Sequence, residues 1–141
     1  MSKESSTKIF NRLKEQAFLM MSKAYAPYSD FLVGAALLAD NKEIFGGCNV
    51  ENAAYPEGMC AEAGAISAMV AGGGRFIEKI FVVSQSEKII SPCGGCRQKI
   101  REFSRKDTKI FLLNIKGEIK VFSVEEILPF SFSEFDKPAK R

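Results

Sequence analysis

Residues 60–83 read CAEAGAISAMVAGGGRFIEKIFVV. From Ala61 to Ala71 the stretch is rich in Ala, Ile, Met and Val and breaks at Gly72-Gly73-Gly74, so it reads as a buried helix stopped by glycine. Ile77–Val83 is rich in strand-forming residues and reads as a β-strand. A buried helix feeding a buried strand is the alternation from which layered α/β domains are built.

Working outward, the pattern repeats on both sides. Upstream, Phe31–Ala39 is a continuous apolar run, Asp40-Asn41 a turn, and Ile44–Val50 a second strand. Before them, Ser6–Ala24 carries Ile9, Phe10, Leu13, Ala17, Met20, Met21 and Ala24 at helical spacing, and Pro27 ends that helix. Asn52–Met59, with Pro56 and Gly58, is a loop. Downstream, a helix is expected from Cys93 to about Phe103, then strands at Ile110–Ile115 and Ile119–Phe122 around a Lys116-Gly117 turn. Ser123-x-x-Glu126 is a capping box opening a short helix that Pro129 terminates. The expected fold class is α/β, a sheet covered by helices on both faces, with no internal repeat.

The 141 residues suit one domain spanning 1–141, and 46% hydrophobic with 26% charged residues is an ordinary globular balance. A net charge of +3 is too weak and too scattered for a nucleic-acid footprint. Lys and Arg are thickest at Arg97–Lys109 and Lys137–Arg141, both read as solvated surface. No apolar run reaches the ~18 residues of a membrane span, and Met1–Asn11 has no apolar signal-peptide core. The expected location is a reducing cytoplasm, where cysteines bind metal or react rather than pair. The chain has no histidine, which excludes a Ser-His-Asp triad, a Cys-His pair and an HExxH zinc site.

The chemistry then rests on four cysteines, Cys48, Cys60, Cys93 and Cys96. Pro92-Cys93-Gly94-Gly95-Cys96 has the spacing that lets two thiolates grip one ion. On its own it is equally a redox pair or half of a structural zinc ribbon. A structural site needs four ligands, normally from a second such pair, and none exists. Three sulfurs with an open fourth position fit a catalytic zinc better, with Cys60 as the third. Glu62, two residues on, projects in a different direction and is placed to handle protons beside the metal's water. All three cysteines fall at expected helix N-termini, which favour thiolate. Cys-Ala-Glu followed about thirty residues later by Pro-Cys-x-x-Cys matches the zinc-deaminase signature, with Cys in place of His. Cys48 is expected to pack in the core.

With these motifs the sequence resembles the cytidine deaminases of the small homotetrameric, three-cysteine type. The resemblance also rests on Ala24-Tyr25-Ala26-Pro27-Tyr28-Ser29, on Phe31 with Val33-Gly34-Ala35-Ala36, and on Gly47-Cys48-Asn49-Val50-Glu51-Asn52-Ala53-Ala54-Tyr55. Ser91-Pro92-Cys93-Gly94-Gly95-Cys96-Arg97-Gln98 and Glu126-Ile127-Leu128-Pro129 complete it. It implies a three-layer α-β-α fold with a mixed central sheet. It implies one zinc per chain on Cys60, Cys93 and Cys96, with Glu62 as proton shuttle in the deamination of cytidine and 2′-deoxycytidine in pyrimidine salvage. Carried over by resemblance, Asn49 and Glu51 hydrogen-bond the ribose hydroxyls and Phe31 packs against the base. Tyr55 and Ala61 contact substrate, and Phe132 reaches into a neighbouring subunit's site. Read without the resemblance, Asn49 is a turn residue, Glu51 a solvated charge, and Phe31 and Phe132 core.

Other readings are a deaminase for a blasticidin-type antibiotic, which shares these metal motifs, a polynucleotide deaminase, and a non-catalytic zinc module. Asn49-Val50-Glu51-Asn52 argues against the first, the lack of a basic channel against the second and Glu62 against the third. The sequence departs from the resemblance once: relatives commonly carry Arg after the glutamate, where this chain has Ala63. Arg97, next to Cys96, is then expected to balance the thiolate charge alongside the helix N-termini.

Overall fold

The computed structural model describes residues 3–133. Helix α1 (Lys3–Ser22) is followed by strands β1 (Val33–Ala39) and β2 (Ile44–Cys48), and then by α2 (Ala61–Ala71) and β3 (Ile77–Ser84). Next come α3 (Gly94–Glu102), β4 (Ser104–Leu113), β5 (Ile119–Ser123) and the short α4 (Val124–Ile127). The strands form one sheet in the order β2-β1-β3-β4-β5. Only the β3–β4 pair is parallel, with α3 as its crossover, so the sheet is mixed.

Strand alternation divides the core in two. Ala36, Leu38, Phe81, Val83 and Leu113 point to one face and pack on Leu13, Ala17 and Met21, which repeat every four residues along α1. Ala35, Leu37, Ala39, Ile80 and Val82 point to the other face. There they meet Ala65, Ile66 and Met69 of α2, Ile100 of α3, and Val124 and Ile127 of α4. The result is the expected three-layer α-β-α sandwich, with α1 the one helix on its side among the described residues.

Two glycines let the helices lie directly on the strands. A Cβ on Gly34 would come within 2.1 Å of the Ala17 carbonyl oxygen, and one on Gly47 within 2.4 Å of the Ala65 amide nitrogen. The second contact seats α2 on β2 and thereby fixes the height of the helix that begins at Cys60.

Most expected elements recur within a few residues, and α2 recurs with the same ends. The main difference is β4, which begins at Ser104 rather than Ile110. Its first half, SRKDTK, has no apolar alternation, because only Thr108 among those residues is buried; the Thr108 hydroxyl donates to the Ile77 carbonyl. The Asn52–Met59 loop contains one 3-10 turn at Tyr55–Glu57. The capping box forms as expected: Ser123 Oγ accepts from the Glu126 amide, and Glu126 Oε1 from the Ser123 amide at 2.8 Å.

The basic run at Arg97–Lys109 is not simply solvated. Arg101 Nε donates to Ser131 Oγ, and Arg105 stacks 4.1 Å above the Phe76 ring. The Lys137–Arg141 cluster lies outside the described residues. Among those described, no helix is long and apolar enough to cross a membrane.

Candidate metal and catalytic site

Two helix N-termini converge at the site. Cys60 and Cys93 are the residues just before α2 and α3, both with extended backbone. Their carbonyl oxygens accept the first intrahelical bonds, from Gly64 at 3.2 Å and Arg97 at 3.0 Å. Cys96 lies in the first turn of α3 and is fully buried, whereas Cys60 and Cys93 are exposed. Cys48, half-buried at the end of β2, stands apart from this cluster.

The three sulfurs all lie within 4.8 Å of one another. Around a tetrahedral zinc with bonds of about 2.3 Å, sulfurs stand about 3.8 Å apart, so a group this close lies near the spacing that one ion requires. Three soft thiolate donors with a fourth position facing a cavity are a donor set that suits zinc. Hydrogen bonds among the cysteines prepare it. The Cys60 thiol is brought down to about 6, chiefly by a hydrogen bond from Cys96, with Cys93 and the charge of Lys99 also helping. The Cys96 thiol is pushed up, first by that bond to Cys60 and then by burial.

Glu62 follows Cys60 by two residues and turns inward, only 4% exposed. Burial pushes its carboxyl above the usual carboxylate range, and the charge of Cys60 adds to this. Its own backbone amide, the Cys96 thiol and Lys99 oppose the rise. A carboxyl so placed exchanges protons nearer neutrality than a solvated one does.

Glu62, Ala61, Cys60 and Cys93 share a cavity of about 290 Å³ with Phe31 and Asn49, near the lower limit for small-molecule sites. Its remaining wall includes Ser84, Ile90, Ser91 and Pro92. Val33, Val82 and Ser84 also line it without having been singled out as site residues in the sequence; the only signal of Ser84 is that of a polar residue closing an apolar strand. The Asn49 amide bridges the rim: Oδ1 accepts from the Val33 amide and Nδ2 donates to the Phe31 carbonyl, each at 2.8 Å.

Glu51 and Tyr55 line a second hollow, of about 340 Å³, with Tyr28, Ser29, Asn52 and Gly58. Glu51 Oε1 accepts from the Tyr28 and Ser29 amides at 2.9 and 3.1 Å. The Ser29 hydroxyl and amide, and the Tyr28 amide, hold its carboxyl below the usual range. Tyr28 and Tyr55 meet edge to face above it, 5.8 Å apart. Phe132 lines neither hollow. Its carbonyl accepts from Gln98 Nε2 on the flank of α3, and its ring is exposed.

Arg97 does not reach the sulfurs as the sequence suggested. Its guanidinium donates to the Pro92 carbonyl, the Ile127 carbonyl and Ser91 Oγ, so the charge goes into pinning the loop before Cys93.

A three-layer fold with three cysteines and a buried glutamate at paired helix N-termini defines a metal-dependent hydrolase of the deaminase class. The family model described as the cytidine and deoxycytidylate deaminase zinc-binding region matches residues 8–112. A cytidine deaminase of Sporosarcina psychrophila is 46% identical over 114 residues, covering 81% of this chain and 84% of its own. One of Mycoplasma genitalium is 39% identical, covering 85% and 92%. The crystal structure of cytidine deaminase from Burkholderia pseudomallei superposes with a TM-score of 0.81 at 39% identity, covering 94% of this chain and all of that one. The chain therefore belongs to the cytidine and deoxycytidylate deaminase family.

Proposed function

We propose that this chain deaminates cytidine and 2′-deoxycytidine to uridine and 2′-deoxyuridine with release of ammonia, in cytoplasmic pyrimidine salvage. In this reading one zinc per chain sits on Cys60, Cys93 and Cys96. The observation that carries it is the buried Glu62 carboxyl beside the cysteine cluster, in the wall of the cavity that Phe31 and Asn49 also line.

When bound, zinc supplies a water acidic enough to be a nucleophile near neutral pH. The protein does the rest. Glu62 is placed to take one proton from the attacking water and would hand it to N3 of the pyrimidine as that oxygen adds to C4. It then carries the second proton to the exocyclic amine, the C4–N bond breaks, and ammonia leaves. Phe31 packs against the base, which Ala61 also touches. After its two rim bonds Asn49 keeps one N–H and one oxygen lone pair for a ribose hydroxyl. Glu51, a carboxylate with lone pairs beyond those that Tyr28 and Ser29 use, accepts from another hydroxyl, and Tyr55 lines the same hollow.

The proposed assembly is a homotetramer in which Phe132 completes a neighbour's site. Gln98 Nε2 donates to the Phe132 carbonyl and the residue is exposed, which supports that role.

Ultraviolet assays of the zinc-loaded protein with cytidine, deoxycytidine, cytosine, adenosine and a blasticidin-type substrate test the reading. Both cytosine nucleosides are expected to turn over and the other three to lag far behind. Turnover of the antibiotic alone would replace the proposed substrate. A monomeric mass by light scattering at full activity would remove the tetramer.

A further inference from the structure

Cys60, Cys93 and Cys96 as thiolates gather three negative charges around one point, and Glu62 shares a cavity wall with Cys60 and Cys93. A divalent ion leaves such a cluster with net negative charge, which disfavours metal retention unless a cation faces it. Two arginines of the same helix are committed elsewhere. Arg97 spends its guanidinium on Pro92, Ile127 and Ser91, and Arg101 donates to Ser131.

Lys99 is placed differently. It lies three residues beyond Cys96 on α3, on the same helix face, and helix geometry sends its side chain back toward the N-terminal turn. Its Nζ comes 3.6 Å from the point that a Cβ on Gly95 would occupy. The Cys93 Sγ is 4.0 Å from the same point. Ammonium and thiolate thus stand around the gap that the glycine leaves open. Lys99 also lines a groove with Ala63, Ile66 and Ser67 of α2 and with Phe103, none of which carries a charge that competes for the ammonium.

We infer that the Lys99 ammonium is the charge partner of the three-cysteine cluster and sets how tightly the cluster holds zinc. Lys99 touches neither substrate nor metal; it acts through the sulfurs. The lowering of both Cys60 and Glu62 by its charge agrees with this placement. The inference rests on the zinc reading above.

The test is zinc affinity of metal-stripped protein, measured by competition with a chelator at low and at ~1 M salt, where charges interact over only about 3 Å. At low salt Lys99→Gln is expected to weaken zinc about tenfold, the scale of outer partners of a metal site. Lys99→Arg, which keeps the charge, is expected within about threefold of wild type, well inside that scale. The deficit of Lys99→Gln is expected to shrink at high salt, which a lost packing contact would not do. Because Lys99 is exposed, both variants are expected to fold, and far-ultraviolet circular dichroism checks this. Wild type that binds zinc while Lys99→Gln matches it within about twofold overturns the inference alone. Wild type that binds no zinc overturns the metal reading, and the inference with it.

Discussion

Arg97 Nε lies 2.9 Å from the carbonyl oxygen of Pro92, in the segment that leads into Cys93. The same guanidinium holds the end of α4 through Ile127 at 2.8 Å and the Ser91 hydroxyl at 2.6 Å. Since Ser91, Pro92 and Cys93 all line the cavity, Arg97 sets the position of one cavity wall. Arg97→Gln cannot span all three acceptors. It is expected to lower stability by about 1.5–3 kcal/mol, the range for hydrogen bonds to charged groups. The KM for cytidine is expected to rise while zinc stays stoichiometric. Thermal melting, elemental analysis and steady-state kinetics on one preparation check this, and an unchanged melting curve would contradict the clamp.

Glu62→Gln separates catalysis from folding. The carboxyl is 4% exposed and burial already disfavours its charge, so a neutral amide of the same shape fits at little cost. Melting temperature and zinc content are expected to hold. Turnover is expected to fall by about 10²–10⁴, because an amide cannot carry protons. Retention of a tenth of wild-type kcat, on the order of a tenfold loss, lies below that range and would dismiss Glu62 as shuttle.

How legible these features were depends on what each one rests on. Helix α2 was readable to the residue because a largely apolar helix and a glycine stop are both local signals. The cysteine cluster was readable because ligand spacing is local within Pro92–Cys96 and only Cys60 had to be brought from afar. The start of β4 was not, since Ser104–Lys109 joins the sheet through backbone pairing and one buried threonine rather than an apolar face. Adjacency to Cys96 pointed to Arg97 as charge partner, but consecutive residues on a helix face different ways. Lys99, three residues on, shares the face that adjacency could not give.

Gly47 is where the sheet sets the height of the catalytic helix. A Cβ there would sit 2.5 Å from the Ala61 carbonyl oxygen and 2.4 Å from the Ala65 amide nitrogen, both backbone atoms that cannot turn aside. Gly47→Ala must therefore lift α2, carrying Cys60 and Glu62 with it. The expected cost is about 1–3 kcal/mol of stability, as for other overpacked cores, with weakened zinc binding even in protein that remains folded. Calorimetry with chelator competition reads both. Gly94→Ala, which meets nothing within 4 Å, is the control expected to leave stability near wild type.

Glu51 anchors the Tyr28–Ser29 segment, and in the proposed function it also reads the ribose. One carboxylate oxygen holds the Tyr28 and Ser29 amides, and these bonds, with the Ser29 hydroxyl, favour the ionised form. Its folded pKa lies below the unfolded value of about 4.3. The stability it contributes is therefore complete above that value and is lost as pH falls through the lower, folded one. Glu51→Ala is expected to flatten the acid limb of the melting-temperature profile and to loosen the Tyr28–Tyr55 pair. Glu51→Gln keeps an acceptor for the two amides but does not titrate, so it is expected to flatten the same limb while melting nearer wild type at neutral pH. The proposed role concerns the sugar. A site built to bond hydroxyls is left with unpaired polar groups by a ligand lacking them, so both variants are expected to narrow the preference for cytidine over cytosine. The kcat/KM ratio of the two substrates measures that preference. If Glu51→Ala shifts the acid limb but leaves the ratio unchanged, Glu51 anchors the Tyr28–Ser29 loop and does not read the ribose.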